Sequence, residues 1–315
     1  MSDKIRPRPS ALTPTVFHEP WWLEAATAGA YQCVECSEGG NAVGRMPYLI
    51  RKKYGLPCGV MPDLTHFLGP AIDEGEGKEQ SRFSRRTAIT KELIAQLPKT
   101  SLFEIKCHRG MTDAIAFQEM NFRCTVQFTH EILPQTEDDV WKGLYDRRRG
   151  AIRRGLKMHD LVLMDDPEEF ARFYESNLDE RDLTNNMERA ALRRVLSAAL
   201  ERGRGTMRGA RDGSGALVAA IFCPRDFAAT YFLLTSRKKE SENGAICALI
   251  WEEIRAAMAR GHSFDFDGIL HAGMAQFFAG FSGHVTPRFV VRRMSLPARI
   301  AWEAHHFLNH KSMFF

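Results

Sequence analysis

The sequence lacks any long apolar run and any paired pattern of cysteines. No apolar run approaches the roughly 20 residues that a membrane-spanning helix needs, so we expect no membrane insertion. Apart from Cys33 and Cys36, the seven cysteines are scattered singly, and such an odd, dispersed set does not describe a disulfide framework. A structural zinc site needs four ligands, and no second cysteine pair follows Cys33 and Cys36. We therefore expect reduced thiols, no disulfide partners and no metal.

The chain also lacks a strong excess of charge of either sign. Its 43 basic and 39 acidic side chains leave a formal net charge of +4, which is too small to predict a partner from the total alone. An apolar fraction of 44 % argues against disorder, and 315 residues suit two domains of ordinary size. The first ten residues are basic and Pro-rich, with no apolar core, unlike a secretory signal. We expect a flexible N-terminus over 1–16 and a cytoplasmic protein.

The second half of the chain alternates helical and strand patterns. Cap carboxylates and a first-turn proline at 165–169 mark the start of a helix. A second helix stops at Gly203, and a meander follows with turns at 212–215 and 224–226. The predicted order is two helices, strands 206–211, 216–222 and 227–234, a helix ending at 261, strand 263–266, helix 273–279 and strand 284–292.

The first half repeats this order more faintly. In both halves a short helix ends in aromatic residues, at 117–122 and 277–281, and the last strand follows. The predicted elements are strands 31–36 and 42–51, helix 84–97, strand 102–106, helix 112–119 and strand 122–132. The pattern predicts an α+β protein with two duplicated domains, joined by a linker near 134–139.

Four stretches of the sequence, taken in order, resemble one family. They are an aromatic opening, a Pro-to-Gly loop, a basic helix of the form Arg-x-x-Ile-Arg-x-x-x-Lys, and an Asp-Phe-x-Gly strand with a Phe-rich helix, at 17–23, 61–69, 147–157 and 261–283. Together they resemble the FemAB-like transferases, a branch of the GNAT superfamily of acetyltransferases. The resemblance implies two tandem GNAT-like domains, each a mostly antiparallel sheet flanked by helices. We expect them at 17–135 and 136–295, followed by a C-terminal helix at 296–315.

The resemblance also implies an activity, namely transfer of an acyl or aminoacyl group to an amine of a small metabolite or peptide. The donor would be a co-substrate, either aminoacyl-tRNA or acyl-CoA, with no tightly bound cofactor. Some members hold tRNA with a long helical hairpin, and no charged heptad run of that kind occurs here. The donor therefore stays open, with the tRNA acceptor end as one possible partner. The alternative is a non-catalytic nucleotide- or RNA-binding module that keeps the duplicated fold.

Candidate catalytic residues lie at the end of the strand predicted at 263–266, which follows the helix that ends at 261. Asp265 and Asp267 alternate along that strand, which predicts that both side chains point to one face. One carboxylate would accept the proton of the amine, and His271 in the following loop is a second candidate base. The alternative is a pair of strand-end carboxylates that hold the amides of a loop.

Two basic segments of the second domain are candidates for binding the donor. The alternative for both is a charged surface that is simply solvated, a loop in one case and a helix in the other. The loop before the long helix carries Arg237, Lys238, Asn243 and Gly244, where a helix N-terminus favours an anion. At 100° per residue, one face of the basic helix carries three cations that suit phosphates, Arg149, Arg153 and Lys157.

The first domain is the expected acceptor side. Its Pro-to-Gly loop carries Asp63, Thr65 and His66. Polar groups in such loops often bind substrates. The alternative is that these three side chains cap and turn the chain.

Overall fold

The computed structural model describes residues 10–53, 55–179, 188–239, 243–300 and 303. The chain forms two compact units. The first unit comprises residues 1–127 with 287–315, and the second comprises residues 128–286.

The helices and strands follow one another along the chain largely in the order that the sequence pattern predicts. The helices are α1 (Pro20–Thr27), α2 (Glu79–Ala95), α3 (Ile115–Glu119), α4 (Glu137–Gly143), α5 (Asp146–Met158), α6 (Pro167–Asp179), α7 (Arg189–Glu201), α8 (Asn243–Arg260) and α9 (Ala272–Ala279). The strands are β1 (Gln32–Glu38), β2 (Asn41–Lys53), β3 (Leu56–Val60), β4 (Ala71–Ile72), β5 (Leu102–Lys106), β6 (Arg123–Ile132), β7 (Asp160–Met164), β8 (Gly205–Arg211), β9 (Leu217–Pro224), β10 (Ala229–Tyr231), β11 (Leu234–Arg237), β12 (Ser263–Gly268) and β13 (His284–Met294).

The first unit is built on a mixed sheet. Its strands follow the order β1-β2-β3-β5-β13, and β4 pairs with β2 at the side. The β3–β5 pair is parallel, with Cys58 opposite Leu102, and the other pairs are antiparallel. Helix α2 packs closely on β2, where Ile89 lies against Gly44 and leaves no room for a side chain. Phe103 and Phe117 are fully buried in the core of this unit.

The second unit holds two groups of strands. Strands β11, β9, β8 and β7 form an antiparallel sheet in that order, and β6, β12 and β10 pair in that order. Every residue of β9 is buried, as its nearly continuous apolar sequence predicts. Helices α5 and α8 cross so closely that a Cβ on Gly155 would lie 2.6 Å from the carbonyl carbon of Gly244. This crossing fixes the basic helix against the core.

Both halves of the sequence use the same order of elements, which confirms the predicted α+β fold and its duplication. In each half a meander leads to a long helix, a strand parallel to the end of the meander, a short helix and a closing strand. Each closing strand then pairs with a strand from the other half of the sequence. After α3, Ile132 of β6 lies opposite Phe264 of β12, and after α9, Val290 of β13 lies opposite Lys106 of β5.

The compact units consequently differ from the domain boundaries that we expected from the sequence. Residues 128–135 fall in the second unit, and residues 287–295 fall in the first. A sequence pattern can show that a segment forms a strand. It does not show which strand that segment pairs with, because the pairing is made by backbone groups.

Three local expectations were wrong. Strand β3 was missed because it contains Pro57, although Pro57 pairs in register with Lys52. Strand β7, which follows the basic helix directly, was also missed. The single strand expected at 227–234 is two strands, since the chain changes partner at Phe232 and Leu233.

The expected terminal segments lie partly outside the described residues. Of the N-terminal segment 1–16, residues 1–9 are outside, while Thr15 and Val16 are buried, so the expected flexible segment is too long. Of the expected C-terminal helix 296–315, residues 296–300 and 303 are helical, and the rest lies outside.

Candidate functional site

A cleft opens in the second unit where two parallel strands diverge. Strands β10 and β12 pair in register as far as Tyr231 opposite Asp265. The N–H of Phe232 still donates to the carbonyl of Asp265 (2.8 Å), whereas the N–H of Leu233 donates to Phe222 of β9 (3.2 Å). The change of partner separates β11 from β12, and a cavity of about 550 Å³ lies beside β11, lined also by residues of α6, α8 and α9.

The walls of this cleft come from four elements and are mostly apolar. Phe232 and Thr235 contribute from the diverging strand, Ile246 from α8, and Tyr174 from α6. Helix α9 closes the cleft with a side that includes His271, Gly273, Met274, Phe277 and Phe278. An apolar cleft with a few polar groups is the usual form of a small-molecule site.

The edge of β11 supplies backbone groups to the cleft. The N–H of Lys238 donates to the carbonyl of Val218 on β9 (2.9 Å). Backbone groups of an antiparallel strand alternate in direction, so Ser236 also faces β9, opposite Ala220. Thr235 lies between these positions and directs its backbone N–H and C=O to the opposite edge, where β12 has moved away.

The two carboxylates of β12 do not share a face in the way that regular alternation predicts. Asp267 has φ +67°, and the register of β12 against β6 shifts between Asp265 and Gly268. The Asp265 carboxylate is 0 % exposed and accepts the backbone N–H of Asp267 (2.9 Å) and the hydroxyl of Thr129 (2.5 Å). Asp265 therefore holds the irregular strand end, which is the structural alternative considered above. Asp267 is only half-buried, and its role in catalysis stays a prediction.

His271 caps helix α9 at the rim of the cleft. Its Nδ1 accepts the backbone N–H of Met274 (3.2 Å), and its side chain is exposed. A neutral imidazole that accepts at Nδ1 carries its proton on Nε2. In this arrangement Nε2 of His271 is a hydrogen-bond donor, and a catalytic role for His271 stays a prediction.

The expected donor loop lies at the mouth of the cleft, although residues 240–242 are outside the described residues. Arg237 lines the cleft and ends β11, and Lys238 is half-buried beside it. Asn243 begins α8. Gly244 is buried in the crossing with α5, where a Cβ would lie 3.3 Å from the N of Gly155, so its lack of a side chain serves helix packing. Its backbone N–H remains in the first turn of α8, where an anion is favoured.

One of the three cations on the predicted phosphate face of α5 is engaged in hydrogen bonds to the protein, and donor binding by this face stays a prediction. Arg149 donates to the carbonyls of Trp141 (3.2 Å), Lys142 (3.1 Å) and Leu144 (2.8 Å) and pairs with Asp146, so it caps the end of α4. Two other predicted cations are exposed, Arg153 with its guanidinium 5.5 Å from the Trp141 ring, and Lys157.

A different face of α5 borders a second cavity. This cavity has a volume of about 340 Å³ and shares Gly273 and Phe277 with the cleft. Sequence reasoning missed its three arginines, which belong to the same basic run and line the cavity together, Arg147, Arg148 and Arg154.

The expected acceptor residues of the first unit are engaged in holding their own loop. Asp63 pairs with Arg51 (3.2 Å), and Thr65 accepts the indole N–H of Trp22 (3.2 Å) and donates to the Asp63 carbonyl (3.2 Å). The His66 ring lies 5.4 Å from the Phe17 ring. These contacts match the alternative that the residues turn the chain, and acceptor binding by them stays a prediction.

The first unit has a cavity of its own, with a volume of about 230 Å³. Arg86 in its wall pairs with Glu74 (2.7 Å) and Asp113 (3.2 Å). His108, also in the wall, is 7 % exposed, and its Nε2 lies 3.0 Å from the Pro70 carbonyl. Burial lowers the pKa of His108 to about 4, so the ring is neutral near pH 7.

Other features bear on the expected partners. All seven cysteines carry free thiols, and no group of three or more His, Cys, Asp or Glu side chains suited to a metal occurs among the described residues. Within the same residues, no helix has the length and apolar character that crossing a bilayer requires.

Comparison with known proteins agrees with this architecture. Residues 145–275 match the family model described as an acetyltransferase (GNAT) domain. No curated protein matches the sequence. The matched segment lies within the second unit and includes most of the lining of the cleft and of the second cavity and the first half of helix α9.

Several solved structures share the fold over nearly the whole chain. A crystal structure of FemX is 12 % identical, with a TM-score of 0.65, over 90 % of this chain and 93 % of FemX. The C-terminal domain of a putative lysylphosphatidylglycerol synthetase from Agrobacterium fabrum is 10 % identical, with a TM-score of 0.60, over 94 % and 91 % of the two chains. L-PGS from Bacillus licheniformis is 12 % identical, with a TM-score of 0.56, over 90 % of each. This chain therefore has the fold of FemX and L-PGS, and residues 145–275 of its second unit match the model of a GNAT acetyltransferase domain.

Proposed function

We propose that this chain is an N-acyltransferase. It moves an acyl or aminoacyl group from a carrier, acyl-CoA or aminoacyl-tRNA, to an amine of a small metabolite or peptide. The observation that carries the proposal is the cleft beside β11, most of whose lining lies in a segment that matches a GNAT acetyltransferase domain. The carrier is a co-substrate, and a cytoplasmic setting, in which both carriers occur, is part of the proposal.

The cleft suits aminolysis of an ester or thioester. This reaction needs a deprotonated amine, a stabilised carbonyl oxygen and two partners held close together. The backbone N–H and C=O of Thr235 face the cleft and pair with an extended donor arm as a further strand would. The apolar walls exclude water that would otherwise hydrolyse the activated acyl group.

His271 at the rim of the cleft and Asp267 near the end of β12 take separate roles. His271 has its proton on Nε2, so it donates to the carbonyl oxygen or to the leaving group. Asp267 lies at the register shift of β12, between the paired residues Asp265 and Gly268, and is half-buried; it is the group that accepts the amine proton. Arg237 and Lys238 at the mouth hold anionic parts of the carrier.

A transfer assay tests the proposal. The purified full chain is incubated with radiolabelled acetyl-CoA or radiolabelled aminoacyl-tRNA and a panel of small amines and peptides. We expect label transfer from one of the two donors to at least one amine, and the donor that works identifies the carrier. If neither donor transfers its label and the chain binds RNA tightly and in a salt-dependent way, the proposed activity is contradicted. That result would support the alternative, a non-catalytic RNA-binding module.

A further inference from the structure

Arg148 is a buried cation without a carboxylate partner among the described residues. Its side chain is 8 % exposed and lies between two aromatic rings, with the guanidinium carbon 4.1 Å from the centre of Phe277 and 4.4 Å from that of Phe281. One Nη donates to the Cys247 sulfur (2.8 Å) and the other to the Phe277 carbonyl (2.8 Å). Its Nε is buried and has no hydrogen-bond partner in the structure.

These contacts do not neutralise the charge. Burial raises the pKa of the Cys247 thiol above its ordinary value, and the nearby Arg148 only opposes this shift. The thiol is therefore neutral near pH 7 and offers Arg148 only a weak acceptor. Aromatic faces and a carbonyl provide partial negative charge, whereas a buried guanidinium is best stabilised by a full anion with matching geometry. The two hydrogen bonds use one N–H of each Nη, so the second N–H of each Nη remains for a ligand.

The cavity of about 340 Å³ beside Arg148 has the charge that an anion needs. Arg147 and Arg154 line it from the same face of α5, because Arg147, Ala151 and Arg154 follow helical spacing. Its remaining lining is neutral, from Gly273, Gln276 and Phe277. Neither Arg147 nor Arg154 forms an ion pair within the part of the chain that the structure describes, and both are exposed to solvent.

We propose that this arginine cavity binds a phosphate group. A phosphate oxygen accepts the remaining N–H groups of Arg148, while Arg147 and Arg154 approach from the solvent side. Because the cavity shares Gly273 and Phe277 with the acyl cleft, the phosphate belongs to the carrier of the acyl group. This part of the inference rests on the proposed function. The phosphate comes either from coenzyme A or from the acceptor end of a tRNA.

Titration calorimetry on the full chain tests the site. The probes are inorganic phosphate, coenzyme A, pantetheine as the phosphate-free arm, and an RNA hairpin that ends in the acceptor sequence CCA. The variants are Arg147→Gln and Arg154→Gln, which change exposed side chains and are expected to fold. Arg202→Gln is the control, with the same loss of charge at the end of α7, where Arg202 contacts the carbonyl of Ala198.

We expect inorganic phosphate to bind the wild type and each cavity variant to weaken that binding at least about tenfold, with Arg202→Gln within twofold. The carrier that supplies the phosphate is the one, coenzyme A or the RNA hairpin, whose affinity falls in the same variants as that of inorganic phosphate. The affinity for pantetheine is expected to stay unchanged. The inference is overturned if the wild type binds no phosphate, or if both cavity variants bind every phosphate-bearing probe as the wild type does. Transfer activity is measured separately, so an active enzyme with unchanged phosphate affinity would refute this site and leave the proposed function standing.

An Arg148→Met variant adds a second readout at the buried position. Methionine keeps the contact with the two phenylalanine rings and removes the charge. We expect phosphate binding to be lost and the variant to become at least as stable as the wild type in phosphate-free buffer. A variant that folds and binds phosphate with wild-type affinity would contradict the proposal. If this variant does not fold, the Arg147 and Arg154 variants decide the question.

Discussion

One residue in a left-handed conformation separates the roles of the two carboxylates of β12. Asp267 has φ +67°, a region that Asp and Asn tolerate better than other side chains with a Cβ. The buried Asp265 carboxylate accepts the Asp267 N–H and the Thr129 hydroxyl, and these hydrogen bonds stabilise the left-handed conformation of Asp267. The sequence pattern places both carboxylates on one face because it assumes a regular strand, and the single unusual φ angle is invisible in it.

The two Asp→Asn substitutions give a matched test of this assignment. Asp265→Asn is expected to lower the free energy of unfolding by about 1–3 kcal/mol, because a buried charge-assisted acceptor is lost. Asp267→Asn is expected to change it by less than about 0.5 kcal/mol while abolishing transfer, since Asn accepts the same φ but takes no proton. Urea unfolding and initial transfer rates measure the two effects. Wild-type transfer by Asp267→Asn would remove Asp267 from the site.

The buried His108 of the first unit makes stability depend on pH. Its pKa is about 4 in the folded protein against an ordinary value of 6.5, because burial disfavours the charged ring. The unfolded chain therefore takes up the proton first as the pH falls. The resulting stabilisation, roughly 3 kcal/mol, is fully present above pH 6.5 and is lost as the pH falls from 6.5 to about 4.

Urea midpoints of the wild type and of His108→Gln, measured between pH 7.5 and 4, check this prediction. Gln keeps a donor toward the Pro70 carbonyl but does not titrate. We expect the loss of stability on acidification to be smaller in the variant. An identical pH dependence in both proteins would show that His108 is not the cause.

At the scale of elements, helix α5 is set by its crossing with α8. A Cβ on Gly155 would lie 2.6 Å from the Gly244 carbonyl carbon, whereas a Cβ on Gly150 would have Arg154 Nη1 at 3.7 Å as its nearest neighbour. Gly155→Ala is expected to destabilise the protein by about 1–3 kcal/mol through overpacking. Gly150→Ala in the same helix is expected to stabilise it by up to about 1 kcal/mol. Thermal or urea unfolding of the pair measures both, and a neutral Gly155→Ala would contradict the close crossing.

The same helix shows how much of the site the sequence could predict. Helical spacing correctly predicts a basic helix, but it groups Arg149 with two exposed cations and overlooks Arg148. Which face of a basic helix is buried depends on its rotation against α8 and α9, and the charges themselves do not reveal that rotation. Arg148 belongs to the cavity because Phe277 and Phe281 lie on either side of it, and these rings come from a distant part of the chain. In the same way, β10 and β11 lie within one continuous apolar stretch of the sequence. The sequence pattern therefore did not predict the change of pairing partner that opens the cleft.

At the scale of the whole molecule, the sequence correctly predicted two units with the same order of elements, but not the exchange of their closing strands. Strand β13 completes the sheet that contains β5, and β6 pairs with β12. A sheet without its closing strand exposes an unpaired edge and loses the apolar contacts on both faces of that strand. The two halves of the sequence therefore depend on each other for folding.

Separate expression of residues 1–135 and 136–315 tests this dependence. We expect neither fragment alone to show cooperative thermal unfolding, and we expect the two fragments to form a soluble, cooperatively unfolding complex when they are expressed together. Circular dichroism and size-exclusion chromatography provide the readouts. A cooperative transition in the isolated 1–135 fragment would contradict the strand exchange.

The central claim is that the acyl group reacts in the cleft beside β11, and blocking that cleft tests it most directly. Thr235→Trp places a large ring in the cleft from an exposed position of β11, while Leu163→Trp places the same ring on the exposed surface of β7, where Leu163 is 68 % exposed. With the donor that the wild type uses, we predict that Thr235→Trp loses transfer at least about a hundredfold, because the donor can no longer be positioned, and that Leu163→Trp transfers at the wild-type rate. Wild-type transfer by a folded Thr235→Trp would show that the reaction takes place elsewhere.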